Sequence, residues 1–211
     1  MLEKIKQLLK LNRKEPVESV EDQINDMFKS LSVDELRIIV GEDLIGIAPA
    51  ICQRIQELRK KIKEEKGFIM PAVRIIDDFD LQENEYQIQV KNKTVFTGYT
   101  VPKETYACDE ISKNMEISCM ENLDLVFTNE ITEKYINAVQ SRNGWLVWNV
   151  SHLIPVTGIK VILVNLLKNG KSINDITYIF EKICEAATKE KDWCSMRDPY
   201  KIAKAINTEI Q

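Results

Sequence analysis

The chain has 211 residues, enough to bury a sizeable core without disulfides or metals. Its 44% apolar and 29% charged residues exclude wholesale disorder, a collagen-like chain and a coiled-coil rod. With 29 Lys and Arg against 33 Asp and Glu, the net charge of −4 gives no sign of a nucleic-acid partner. One histidine, His152, and five scattered cysteines, Cys52, Cys108, Cys119, Cys184 and Cys194, leave little material for a zinc site and suit a reducing cytoplasm. Met1 is followed by charge rather than by a signal-peptide core. The most apolar run, Ile159 to Leu167, is broken by Lys160 and Asn165 and falls short of the roughly 20 apolar residues of a spanning helix, so no transmembrane segment is expected.

Leu2, Ile5, Leu8 and Leu9 recur at helical spacing beside Lys4, Lys6, Lys10, Arg13 and Lys14, which predicts a short basic amphipathic helix. Such an element is a candidate docking arm, either on an anionic membrane surface as a weak peripheral contact or on protein. From Glu15 to Asp26 the charge turns acidic, in a second predicted helix, and residues 1–32 read as a linker arm. At Val33 the pattern becomes a β-branched run ending at Gly41 and Gly46, a strand turning into a loop. Ile51, Ile55, Leu58 and Ile62, with Pro49 at the start and Gly67 past the end, mark a helix. Its basic outer face is interleaved with Glu57, Glu64 and Glu65, which makes it a solvated face rather than a phosphate stripe.

Ala72 to Ile76 reads as a strand, and EYQIQV and TVFTGYT around Lys91-Asn92-Lys93 as a hairpin. This order gives an α+β fold, a small ferredoxin-like sandwich over residues 33–150. Between 100 and 122 the periodicity dissolves, which predicts a loop-rich insertion. Leu123 to Phe127 suits a strand, Glu130 to Gln140 a helix and GWLVWNV a strand. Residues 151–211 read as a helical subdomain, with Asn169-Gly170 as a stop, Ser172 and Asp175 as a capping box, and Asp198-Pro199 opening the last helix.

No catalytic, cofactor-binding or metal constellation emerges. No Gly-rich loop precedes Lys-Ser/Thr, Asp77, Asp78 and Asp80 lack a calcium loop's glycine and closing glutamate, and His152 beside Ser151 has no orienting partner. Trp145 and Trp148, three apart, would face opposite sides of a strand, so at least one is a candidate for an exposed binding surface, with a core role as the commoner alternative.

Two blocks carry a resemblance. The first is DELRIIVGEDLIGIAPA followed by ICQRIQELRKKIKEEKGFIMPAVRIIDDFDLQENEYQIQV, with Gly41, Leu44-Ile45, Arg54-Ile55, Leu58-Arg59, Gly67-Phe68, Pro71, Val73, Ile75, Asp77, Leu81 and Asn84-Glu85-Tyr86. The second is LVNLLKNGKSINDITYIFEKICEAA, with Leu166-Leu167, Gly170, Ser172-Ile173, Asp175, Thr177 and Glu181. Together they resemble the cytoplasmic domain of the export-gate family of flagellar and type III secretion systems, the FHIPEP family. The family's membrane half has no counterpart here, and the chain starts at what resembles its linker. Its chaperone-binding motifs, Asp-Pro-Ala-Phe and Ala-Thr-His, are replaced by Ser118-Cys119-Met120-Glu121 and Pro155-Val156-Thr157.

The resemblance implies a non-enzymatic, cytoplasmic interaction module at the inner face of the cell membrane. Its implied partners are other export-apparatus proteins, export chaperone or substrate complexes, or further copies of itself. Candidate surface residues are Met120, Phe127, Trp145, Trp148 and Val156. A repurposed scaffold or peripheral membrane adaptor using the Leu2 to Lys14 helix is the alternative.

Overall fold

The computed structural model describes residues 33–189 and 197–210. The candidate arm residues Leu2, Ile5, Leu8 and Leu9 lie outside that range. Strand β1 (Leu36–Val40) leads through Gly41 into a one-turn helix α1 (Glu42–Ile45) and then the long helix α2 (Ala48–Lys66). Strand β2 (Val73–Asp77) follows, then the hairpin of β3 (Glu85–Val90) and β4 (Lys93–Tyr99). The hairpin turns on Lys91 and Asn92 with φ of 49° and 64°, the left-handed pair that a two-residue turn requires.

The four strands form one sheet in the order β2-β1-β3-β4, with β1 parallel to β2 and antiparallel to β3. Because β1 and β2 are adjacent, their crossover is not split by another strand. The sheet is therefore a βαβ unit extended by a hairpin, and not the expected ferredoxin-like arrangement. Register puts Leu36, Ile38 and Val40 beside Val90, Ile88 and Tyr86 on one face. Ile51, Ile55, Leu58 and Ile62 of α2 are buried, each such side chain contributing about 2 kcal/mol of gross burial free energy. On the other face Arg37 stands directly opposite Arg74, a repulsive pairing relieved by Asp34, which lies 2.8 Å from one and 3.4 Å from the other. Hydrogen bonding to Arg37, its first cause, holds the Asp34 carboxyl below the usual range.

Where a loop-rich insertion was expected, an 18-residue helix α3 (Glu104–Glu121) packs against α2 and reaches β3. Its buried positions, Ala107, Cys108, Ile111, Met115 and Cys119, keep helical spacing but include weak hydrophobes, so the stripe is faint in sequence. Asn114 Nδ2 donates to Tyr86 Oη at 2.6 Å, fixing α3 to the sheet. The segment expected as a strand at 123–127 is a single turn, α4 (Leu123–Val126).

Helices α5 (Asn129–Gln140), α6 (Gly144–Leu153), α7 (Val156–Lys168), α8 (Ile176–Lys189) and α9 (Pro199–Ile206) complete the described chain. The apolar α7 buries Ile159, Ile162, Leu163, Val164, Leu166 and Leu167 among its neighbours. The α8 cap is Asp175, whose Oδ1 accepts from Tyr178 N at 3.0 Å, rather than the expected Ser172. Pro155 stops α6, and α7 leaves at 100° to it. The expected boundary at 150 falls inside α6.

The end of α2 joins the sheet to the later helices. Gly67 caps it at φ +70°, with its Cα so close to the 173–174 backbone that a Cβ would sit 2.4 Å from Asn174 N. Two of the orphan carbonyls there are taken by Ile173 N, on Lys66 O at 2.8 Å, and Asn174 Nδ2, on Glu64 O at 2.8 Å. Nearby, Tyr135 Oη donates to Gly67 O at 2.7 Å and accepts from Ile69 N at 2.9 Å.

A candidate protein-interaction surface on helix α6

Helix α6 starts where Asn143 Oδ1 accepts from Leu146 N at 3.1 Å, an N-cap that turns GWLVWNV into a helix instead of the expected strand. The change of period decides what the tryptophans do. Leu146, Val147 and Val150 face inward, while Trp145, Trp148 and His152, at i, i+3 and i+7, share the outer face. Trp145 is 75% and Trp148 54% exposed.

The three rings form a continuous aromatic surface. The indoles meet edge to face with centroids 5.6 Å apart, and the His152 ring lies 4.2 Å from Trp148. His152 Nδ1 donates to Trp148 O at 2.7 Å, which fixes the imidazole to its own helix. That contact employs the histidine as a neighbour of the indole. No carboxylate orients it among the described hydrogen bonds, so the arrangement offers an aromatic contact face rather than a general base. Gly144 to Leu153 contains no Lys, Arg, Asp or Glu, a composition suited to the centre of an interface, where charge is depleted and aromatics are enriched.

The other candidates do not join this face. Phe127 is completely buried, stacked between Phe68 and Tyr135 at 5.5 and 5.6 Å, and is a core residue. Its burial is decided by partners distant in sequence. Met120 at the end of α3 and Val156 at the start of α7 are half-buried and packed on the core. Leu125, exposed on α4, was not anticipated, and a one-turn helix gives no periodic signal to find it by. On α2 part of the basic face is ion-paired: Arg54 with Asp109 of α3 and with Glu57 of its own helix, and Lys61 with Glu116 of α3 at 3.2 Å. Asp78 Oδ1 accepts from Asp80 N at 2.9 Å, making the acidic run a turn after β2. Cys119 is buried, its thiol pushed up to about 12 by desolvation. Among the described residues no single helix is long and apolar enough to cross a membrane.

A model described as the FHIPEP family matches residues 3–129. Among curated proteins, the flagellar biosynthesis protein FlhA of Helicobacter pylori is 31% identical over 108 residues, which is 49% of this chain and 14% of that protein. FlhA of Bacillus subtilis is 34% identical over 73 residues, 32% of this chain and 11% of its own length. The chain thus spans only about a seventh of the first of these relatives, or less of the second. Of the solved structures, CdsV of Chlamydia pneumoniae in its complex with CdsO gives a TM-score of 0.71 at 15% identity, over 83% of this chain and 65% of that one. A nonameric SctV cytoplasmic assembly from enteropathogenic Escherichia coli gives 0.68 at 14% identity, over 83% and 65%. MxiA of Shigella flexneri gives 0.66 at 15%, over 82% and 62%. At such identities the structures establish a shared fold and nothing further.

Proposed function

The chain belongs to the FHIPEP family, and on that footing we propose that it serves flagellar or type III protein export as a non-enzymatic interaction module, on the cytoplasmic side of the membrane. The α6 face is its contact surface. The observation that carries this reading is the pair of exposed indoles, Trp145 and Trp148, on a helix without charge. Tryptophan is the residue type most enriched among those that dominate binding energy, and two in edge contact present a rigid apolar area at little entropic cost. The related folds act in company: CdsV has been solved with CdsO, and an SctV cytoplasmic domain as a nonamer.

The partners proposed are export-apparatus proteins, chaperone or substrate complexes, and further copies of this chain. With neither chaperone motif of the family present in this sequence, a chaperone would have to be met by other residues. The test is affinity purification from cells that express a flagellar or secretion system, with and without Trp145→Ala/Trp148→Ala, and quantification of the known export components. Recovery by the unaltered chain and its loss in the variant is the expected result. Recovery of no export component, or equal recovery by both, overturns the proposal.

A further inference from the structure

A second feature, independent of α6, lies at the outer edge of β2. Among the described residues this strand is outermost in the sheet and pairs with β1 alone. Asp78 N donates to Val40 O at 3.1 Å, so by the two-residue period of a strand the even-numbered residues face β1. The N–H and C=O groups of Val73, Ile75 and Asp77 point away from the sheet. Three donors and three acceptors in a row are a template for another strand.

At the start of this edge a cavity of about 270 Å³ opens between the 69–72 segment and α5, with Ile69, Pro71, Ile131 and Tyr135 among its walls. The cations around it are bonded, although Arg59 reaches only a carbonyl and Arg74 shares its carboxylate with Arg37. Lys134 pairs with Glu130 at 2.7 Å, Arg59 Nε donates to Met70 O at 3.1 Å, and Arg74 pairs with Asp34. Among the described residues, Glu35 beside the cavity and Asp77 and Asp80 at the far end have no ion pair. With Asp78, these four carboxylates outnumber Arg59 and the one guanidinium that Asp34 leaves unmatched, so the charge along the edge is negative.

We propose that β2 accepts an extended basic peptide segment of a partner protein as an added strand. The main chain bonds to Val73, Ile75 and Asp77, a large apolar side chain enters the cavity, and Lys or Arg meets Asp77 and Asp80. This is strand addition, in which backbone bonds supply affinity and pockets supply specificity. The five residues of β2 span about 13 Å, so the anchor and the basic residues stand about four to six residues apart. Antiparallel pairing, the stronger kind, puts the basic residues first.

The probe is a fluorescein-labelled peptide, KKTVTVTF, compared with EETVTVTF on the full chain at low salt by fluorescence anisotropy and amide hydrogen exchange. Saturable binding of the lysine peptide is expected, at least tenfold tighter than the glutamate one, with new protection at Val73, Ile75 and Asp77. Ile75→Pro deletes one outward donor at a position where an outer strand tolerates proline. It should weaken binding at least tenfold with an unchanged circular dichroism spectrum. Should that variant not fold, Asp77→Asn/Asp80→Asn must abolish the preference for lysine. Absence of binding, equal affinity for the two peptides, or edge amides already protected in the free chain overturns the proposal. Self-association lost in Ile75→Pro also overturns it, by giving the edge to a second copy. Trp145→Ala/Trp148→Ala should bind the peptide normally, so the fate of the α6 reading does not decide this one.

Discussion

Replacing Gly67 by alanine tests the junction on which the sheet and the later helices meet. At φ +70° an alanine costs about 1 to 2 kcal/mol in the left-handed region. Its Cβ would sit 2.4 Å from Asn174 N and 2.6 Å from Ile173 C, which are backbone atoms that cannot swing aside. The 173–174 segment must withdraw, giving up the bonds from Ile173 N to Lys66 O and from Asn174 Nδ2 to Glu64 O, each worth about 1 kcal/mol. The lower entropy of the unfolded alanine chain returns about 0.4 to 1 kcal/mol. The net loss is about 3 kcal/mol, or about 6 to 12 °C in melting temperature for a domain of this length. Thermal melts followed at 222 nm measure it. Asn174→Ala, which removes one of the two bonds, should lose only about 2 to 4 °C. A Gly67→Ala protein melting within about 1 °C of the parent would refute the close-approach argument. Equal losses in both variants would place the strength of the junction in the asparagine side chain instead.

Tyr135→Phe keeps the ring stack with Phe127 but removes the acceptor for Ile69 N and the donor to Gly67 O, and should cost about 2 kcal/mol, seen as a lower urea midpoint with an unchanged slope. Burial pushes the Tyr135 phenol up to about 12, so the stability it contributes is complete below about pH 10, where the unfolded phenol is still protonated, and is lost as pH rises towards 12. The difference in melting temperature between the parent and Tyr135→Phe should therefore shrink over that interval. Trp145→Ala/Trp148→Ala should leave the melting temperature within about 2 °C of the parent, since both indoles are exposed; a larger fall would make the face structural. Cys52, exposed, should react with a thiol reagent in the native protein, whereas buried Cys119 should react only after unfolding.

What the sequence revealed depended on how strongly each element declared its period. Helix α2 had four isoleucine and leucine residues in register with a proline in the first turn and a glycine after, and the hairpin alternated Tyr86, Ile88 and Val90 with glutamines; both stand where expected. Helix α3 was hidden because alanine, cysteine and serine fill much of its inner stripe, although no glycine or proline interrupts it from Lys103 to Asn122. Helix α6 was misread because its short run of Leu146, Val147 and Val150 among tryptophans satisfies strand composition; the Asn143 cap was the available signal for a helix. Trp145 and Trp148 were therefore identified as surface candidates, but their common face and the part of His152 in it follow only from the helical period. The topology of the sheet was not legible, because which strand neighbours β1 depends on pairing between segments that no local pattern encodes.

The cap on α2 also sets an order of events during synthesis. The amide that covers Glu64 O belongs to a residue 110 positions later. At about 5 to 20 residues per second a ribosome needs on the order of 5 to 20 s to deliver it. Through that interval the nascent chain can lay α2 across its sheet, but the last carbonyls of the helix have only water to bond. Emergence of Ile173 and Asn174 is thus the step that closes the end of α2, and a chain stalled before Ile173 would leave the exit tunnel with its longest sheet-packed helix still open at one end.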